Sequence, residues 1–296
     1  MSRQLCVIFS ALTFTVSLIT SCGGNPTPLS QVPTRAPNPV PVRVAAIPRT
    51  PPPNVAAQSA IVVDIDSGRV LYAKNADIKR EVASTQKIIT ALCVIDDGNI
   101  DKNVTITSSD ENCEPTKLYM KPGDTYSRRE LLKVLMVKSA NDVARALARD
   151  VAGSQENFSR VMNAKAASIG MRNSFFMNPN GLPDRNQYST ARDLAIAARV
   201  AYRSPLLRSF FATKSFTFHY ADGRTRHIEN TNRVLKTVPY CNGMKTGTTN
   251  AAGRCLVATG SLNGRSVVTV VLKSNTPNVW SDSTKLLAWA LERPAS

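Results

Sequence analysis

Strand-like segments at both ends of the folded region, with helical segments between them, predict an α/β (α+β) domain. In it, one antiparallel sheet is assembled from both ends of the chain and carries a helical insertion. Three observations lead there. Residues 60–65 and 70–73 are apolar, β-branched runs around Asp66-Ser67-Gly68, a hairpin signal. Residues 239–246, 254–260 and 267–272 repeat that strand pattern near the other end, with turn residues between them, as an antiparallel meander does. The stretch between the two groups carries apolar residues at helical spacing.

The first 57 residues stand outside this domain. One positive charge (Arg3) precedes a fifteen-residue apolar stretch at residues 5–19, and Ile19-Thr20-Ser21-Cys22 follows. A charged start, a short apolar core and small residues before a cut read as an export signal over residues 1–21. The stretch is shorter than the roughly 20 apolar residues a membrane span needs. A cysteine directly after the small residues resembles a bacterial lipobox, so Cys22 is expected to be diacylated and to become the mature N-terminus. The alternative is an ordinary secretory signal with an incidental cysteine. Residues 23–57 hold ten prolines and two glycines. That composition predicts an extended, partly polyproline-II tether over residues 22–57, reaching at most ~100 Å at about 3.1 Å per residue. Residues 58–296 remain as one catalytic-sized domain.

Within that domain the hairpin at 60–73 comes first. A helix is predicted over 84–95, ending at Asp96-Asp97-Gly98. Helices over 127–137 and 142–151 are broken by Lys138-Ser139-Ala140-Asn141. Further helices are predicted at 155–168, 190–201 and 205–211, then the meander, then a closing helix at 284–292. No internal repeat is present.

Composition excludes several classes. Apolar residues make up 43% and charged residues 20%, which rules against a disordered chain. There are 37 basic and 21 acidic residues, a formal +16, and the first 57 residues hold four arginines and no acid. The rest therefore carries +12, a surface that favours nucleic acid, acidic lipid headgroups or anionic wall polymers. Aromatics are 6%, and no RNP-like or zinc-finger spacing occurs, so nucleic acid is not an expected partner. His219 and His227 stand eight apart in no HxxEH or HExxH pattern, which argues against a zinc hydrolase. They are expected at the surface or in a structural role, and Trp280 and Trp289 in the core.

Three short motifs carry chemistry. Ser84-Thr85-Gln86-Lys87 sets a hydroxyl and an amine at i and i+3, on one helix face. A serine needs a base to become a nucleophile. A neutral lysine can serve if its pKa falls from about 10.4 toward ~7, on the order of 4–5 kcal/mol of environment. Burial and a second nearby cation are the usual causes. At the helix start, the serine's own N–H is placed to stabilise an oxyanion. Ser139-Ala140-Asn141 lies in a break between helices, where a second hydroxyl can shuttle a proton and an amide can grip a peptide bond. Lys245-Thr246-Gly247 ends a predicted strand, offering a cation for a carboxylate, a hydroxyl, and a glycine that permits close approach. Each motif alone is weak: a second SxN stands at Ser261-Leu262-Asn263. The order is specific. Ser139 follows Ser84 by 55 residues, Lys245 follows Asn141 by 104, and each motif falls in fitting local structure.

Together with the surrounding sequence at residues 83–92, Ser139-Ala140-Asn141-Asp142, Asn178-Pro179-Asn180-Gly181-Leu182 and Gly243-Met244-Lys245-Thr246-Gly247-Thr248-Thr249, this triad resembles the low-molecular-mass penicillin-binding proteins. Within them it is similar to the serine-type D-alanyl-D-alanine carboxypeptidases, over nearly all of residues 58–292. The resemblance implies a penicillin-binding/β-lactamase-like fold: a five-stranded antiparallel sheet flanked by helices, with a helical lobe and a cleft between them. It implies a D,D-peptidase catalytic domain that takes peptidoglycan stem peptides and β-lactam antibiotics, with no metal or cofactor. Ser84 would be the acyl-enzyme nucleophile and Lys87 its base. Ser139 would relay the proton, and Asn141 would position Lys87 and the substrate amide. Lys245 and Thr246 would hold the terminal carboxylate of D-Ala-D-Ala beside Gly247. The N–H groups of Ser84 and Thr248 would form the oxyanion hole. A lipid on Cys22 would anchor the exported protein to a bacterial membrane, facing the cell wall.

Three departures temper this. Many relatives carry a second β domain and an amphipathic anchoring helix after the catalytic domain, whereas this chain stops at Ser296 just after the closing helix. Residues 274–283 hold no arginine or lysine, where some relatives place a carboxylate-binding arginine. That shifts the task onto Lys245, Thr246 and Thr248. Several shortened relatives act as D,D-endopeptidases on cross-links, which makes that activity the runner-up. A class A β-lactamase would need an ExxLN loop glutamate, and none occurs. A non-catalytic penicillin-binding lipoprotein uses the same fold. Finally, a hairpin turning about Thr248 would set Cys241 and Cys255 opposite one another, as a cross-strand disulfide or as two small buried side chains.

Overall fold

The computed structural model describes residues 50–291. In chain order, strands β1 (Ser59–Asp64) and β2 (Val70–Lys74) lead to a 3-10 turn at Ala83–Gln86 that runs straight into helix α1 (Lys87–Asp97). Next come β3 (Asn103–Thr105), α2 (Ser108–Glu111), β4 (Thr125–Ser127), α3 (Arg128–Val137), α4 (Asn141–Ala152) and α5 (Gln155–Ser168). Helices α6 (Ala191–Tyr202) and α7 (Pro205–Ala212) precede a hairpin of β5 (Ser215–His219) and β6 (Thr225–Glu229), then α8 (Arg233–Thr237). Strands β7 (Cys241–Thr249), β8 (Gly253–Leu262) and β9 (Arg265–Ser274) and helix α9 (Asn278–Leu291) close the domain.

The main sheet has five antiparallel strands in the order β2-β1-β9-β8-β7, so the first hairpin joins the meander through β1 and β9. That is the sheet built from both ends that the strand pattern predicts. Alternation along β1 sends Ala60 and Val62 to one face and Ile61 and Val63 to the other. The first face packs under α8 and α9, the second under α1, α6 and the helical insertion. Burial on both faces explains why these strands read as continuous apolar runs. Helix starts follow local rules: Ser127 and Glu130 form a capping box on α3, and the Thr190 hydroxyl accepts the Asp193 N–H on α6.

Several expectations need correction. The domain begins before residue 58: Val55 and Ala57 are buried, the N–H groups of Ala56 and Ala57 donate to the Asp282 carboxylate, and Trp289 Nε1 donates to the Thr50 carbonyl. The closing helix starts at Asn278, six residues before the predicted 284. The short β3–β4 and β5–β6 pairs and helix α8 carry too little apolar pattern to be read from sequence. The β7–β8 hairpin turns about Ala251 rather than Thr248, so Cys241 pairs with Gly260, and Cys255 with Gly247. The two thiols are free and face opposite sides of the sheet, which removes the proposed bridge. His219 and His227 are exposed on the β5–β6 hairpin. Residues 1–49, where the export signal and the lipidated Cys22 are expected, lie outside the described residues. Among those described, no helix is long and apolar enough to cross a membrane, and no group of three or more His, Cys, Asp or Glu is arranged to hold a metal ion.

Candidate active site

Ser84 sits in the 3-10 turn, and Lys87 is the residue at which the turn becomes α1. At three residues per turn, side chains at i and i+3 eclipse one another, so the hydroxyl and amine are in line. Lys87 Nζ lies 2.8 Å from Ser84 Oγ, 2.7 Å from Asn141 Oδ1 and 2.7 Å from the Asn180 carbonyl. The lysine is fully buried. That burial, and then the neighbouring Lys245, hold its pKa well below the ordinary lysine range. A neutral amine has two N–H donors and one lone pair. With Asn141 Oδ1 and the Asn180 carbonyl on the two donors, the lone pair is left for the Ser84 proton once that hydroxyl turns from the Asn180 carbonyl, to which it donates at 3.1 Å.

Asn141 opens α4, and its Nδ2 donates to the Glu114 carbonyl, which fixes the amide with its oxygen toward Lys87. Ser139 adopts φ +68°, a left-handed conformation that turns the chain sharply between α3 and α4, and it lines the same cleft as Ser84 and Asn141. Thr246, Gly247 and Thr248 line the opposite wall. Gly247 runs against the 3-10 turn so closely that a Cβ there would stand 2.9 Å from Thr85 N and 3.0 Å from Ser84 N. This contact sets the edge of β7 beside the Ser84 amide. Thr246 Oγ1 and Thr231 Oγ1 are 2.6 Å apart across the cleft floor.

Lys245, expected to offer a cation to a carboxylate, is shielded from solvent. Its Nζ donates to the Thr246 carbonyl at 2.9 Å, and burial lowers its pKa to about 7. The exposed cations on this wall are arginines that the motif reading did not single out. Arg254 stands directly opposite Thr248 in the β7–β8 register, and its Nη1 donates to Thr248 Oγ1 at 3.0 Å. Arg233, at the start of α8, lies 5.8 Å from the Trp280 ring. All three line the cleft, of about 360 Å³, so Trp280 is a wall residue rather than core. Trp289 is buried, edge-on to Tyr72. The signal for Arg254 was the hairpin register, which becomes legible once the turn is centred on Ala251.

The Asn180 carbonyl is the other residue the motif reading missed. Its loop is stitched to the 3-10 turn and to α1: Gln86 Nε2 donates to the Asn178 carbonyl at 2.5 Å, and Thr90 Oγ1 to the Pro179 carbonyl at 2.7 Å. Gly181 adopts φ +82° against the Ala83 carbonyl, a place for glycine alone. The Asn-Pro-Asn-Gly turn chemistry was the available signal.

This geometry has close counterparts. Residues 46–276 match the Peptidase_S11 family, D-alanyl-D-alanine carboxypeptidase. The chain is 32% identical over 243 residues to the D-alanyl-D-alanine carboxypeptidase DacF of Bacillus subtilis, covering 80% of this chain but 62% of that protein. It is 33% identical over 259 residues to a D-alanyl-D-alanine endopeptidase of Pseudomonas aeruginosa, covering 82% and 83%. The crystal structure of a D-alanyl-D-alanine carboxypeptidase from Mycobacterium tuberculosis H37Rv superposes with a TM-score of 0.78 at 32% identity, covering 82% of this chain and 95% of that one. With the family matched across most of its length and the fold shared at that identity, the chain belongs to the Peptidase_S11 family of serine-type D-alanyl-D-alanine carboxypeptidases.

Proposed function

We propose that this protein is a serine D,D-carboxypeptidase that removes the terminal D-Ala from peptidoglycan pentapeptides, and that penicillins acylate the same serine. The observation that carries this reading is the buried Lys87 amine, with two acceptors on its donors and the Ser84 hydroxyl at 2.8 Å. In the reaction, the Ser84 proton passes to Lys87 as Oγ bonds to the penultimate D-Ala carbonyl. The Ser84 and Thr248 amides would receive the oxyanion. Collapse breaks the C–N bond, and the proton returns from Lys87, by way of the Ser139 hydroxyl, to the departing D-Ala amine. Water then attacks the ester, giving up its proton to Lys87, and Ser84 recovers its hydrogen as the shortened peptide leaves. Thr246, Thr248 and Arg254 would hold the terminal carboxylate of the substrate, with Lys245 behind them. An export signal and a lipid on Cys22 would hold the enzyme at a membrane facing the wall.

A second reading is a D,D-endopeptidase that opens cross-links, favoured by the Pseudomonas aeruginosa relative, 83% of whose length this chain covers. One digest separates them. The full chain and a Ser84→Ala control are incubated with monomeric pentapeptide and cross-linked dimeric muropeptides, and the products are read by mass spectrometry. Loss of one alanine with dimers intact is the expected outcome. Conversion of dimers to monomers assigns the endopeptidase instead.

A further inference from the structure

A second group of cations stands beyond the cleft wall opposite Arg254. The loop that supplies Pro115 and Thr116 to the cleft continues into Lys117, Leu118 and Tyr119. Tyr119 is 54% exposed and adopts φ +65°, uncommon for an aromatic residue. It is held there from beneath: the Asp142 carboxylate accepts the Leu118 N–H at 2.9 Å and the Tyr119 N–H at 2.8 Å. Lys117 Nζ lies 5.5 Å from the Tyr119 ring centre and Arg226 Cζ 6.0 Å, within cation–π range. Arg226 Nη1 also donates to the Leu118 carbonyl at 3.4 Å. Lys138, which lines the cleft next to Ser139, has its pKa lowered by burial and then by the Arg226 charge, against the pull of the Asp142 carboxylate.

Like charges gathered around one exposed ring are unfavourable unless an anion is brought among them. Among the described residues, none of Lys117, Lys138 and Arg226 forms an ion pair. Nearby cations are treated differently: Lys121 and Arg224 both pair with Asp222, at 3.0 and 2.8 Å. The buried Asp142 carboxylate accepts backbone amides, and Glu114, three residues before Lys117, is the one acid within four residues of that lysine. We propose that Lys117, Tyr119 and Arg226, with Lys138 linking them to the cleft, form a binding ledge for the carboxylates of the acidic peptide that continues from the reacting D-Ala-D-Ala end. Cations on the Arg254 wall would meet the terminal carboxylate. The ledge meets carboxylates farther along the same chain, and so favours acidic wall peptides over short neutral ones. This rests on the D,D-peptidase reading of the cleft.

The test uses two synthetic peptides of equal length ending in D-Ala-D-Ala. One carries side-chain carboxylates two and three residues before that end, and the other carries the corresponding amides. Binding is read by fluorescence anisotropy on the Ser84→Ala protein, and kcat/KM on the active one. The acidic peptide is expected to be favoured by about fivefold or more at low salt, the scale of two exposed charge contacts, and the preference should shrink in 1 M NaCl, about a 3 Å screening length. Lys117→Gln with Arg226→Gln should abolish the preference while leaving kcat/KM for the amide peptide and the penicillin acylation rate within about twofold. If that double variant melts early, Tyr119→Asn, whose side chain tolerates the left-handed backbone, should lower the same preference. Equal binding of both peptides, or a preference that survives these substitutions, overturns the ledge. Discrimination by the Ser84→Ala protein with no turnover by the active one would leave the ledge standing and remove the proposed activity.

Discussion

Lys87 Nζ has three oxygens within 2.8 Å, two of them carbonyl acceptors, and only its neutral state leaves a lone pair for the Ser84 proton. Its lowered pKa has a direct sign: as pH falls through that value the amine gains a proton, the lone pair disappears, and acylation slows. The rate of labelling by a fluorescent penicillin should therefore fall on the acid side and level off above it. Lys87→Met should lower it by roughly 10²–10⁴ at neutral pH, the usual worth of a general base. Arg254 yields a separate prediction. Because its guanidinium sits on Thr248 at the open end of β7, Arg254→Ala should cut kcat/KM for a free D-Ala-D-Ala carboxylate by about tenfold or more. Hydrolysis of the C-terminal amide analogue should hardly change, and the ratio of the two rates is the measurement. Ser84, Lys87 and Asn141 were legible because their spacing and residue types are local. Arg254 was not, since nothing around it says that it faces Thr248.

At the level of elements, the junction that matters is β7 against the 3-10 turn. Gly247 permits it, and Gly247→Ala forces a methyl to within 3.0 Å of backbone at Val82, Ser84 and Thr85. Backbone cannot swing aside as a side chain can, so β7 must move away from Ser84. The variant is expected to lose about 1–3 kcal/mol of stability by thermal melting, as overpacked sites do. Its penicillin acylation should slow by more than tenfold, because the Ser84 and Thr248 amides proposed to receive the oxyanion would be drawn apart. The sequence pattern reads a helix from residue 84, and the chain forms a 3-10 turn first. That difference is small in residue count and large in effect, since it aligns Ser84 with Lys87. The Asn178–Leu182 segment likewise reads as a turn, but its job of offering the Asn180 carbonyl to Lys87 arises only when it is laced to the 3-10 turn and α1.

Across the described residues, the sheet order brings the two ends of the domain together, and the segment from Thr50 to Ala57 lies along α9. Asp282, itself buried, accepts the N–H groups of Ala56 and Ala57 at 3.2 and 2.9 Å. Asp282→Ala leaves a buried N–H without its acceptor and should cost about 1–3 kcal/mol. That corresponds to a melting temperature lower by roughly 2–10 °C for a domain of this size, measurable by calorimetry. The proline-rich stretch reads as tether through residue 57, and only the packing against α9 shows that residues 50–57 belong to the domain. The charge balance behaves similarly: composition states an excess of +16, while folding pairs some cations, as Lys121 and Arg224 with Asp222, and leaves Arg233 and Arg254 on the cleft wall.

By itself, the sequence determined which chemical groups this protein owns and the local conformations that carry them: a hydroxyl and an amine at i and i+3, an amide at a helix break, a lysine-threonine-glycine strand end, and a sheet drawn from both ends of the chain. These follow from spacing and turn chemistry, which act over a few residues. Tertiary structure decided the rest. It buried Lys87 beside Lys245, set its donors on Asn141 and Asn180, 54 and 93 residues away, and registered Arg254 against Thr248. Protonation and charge placement depend on desolvation and on neighbours brought in from distant parts of the chain, and no local pattern encodes either.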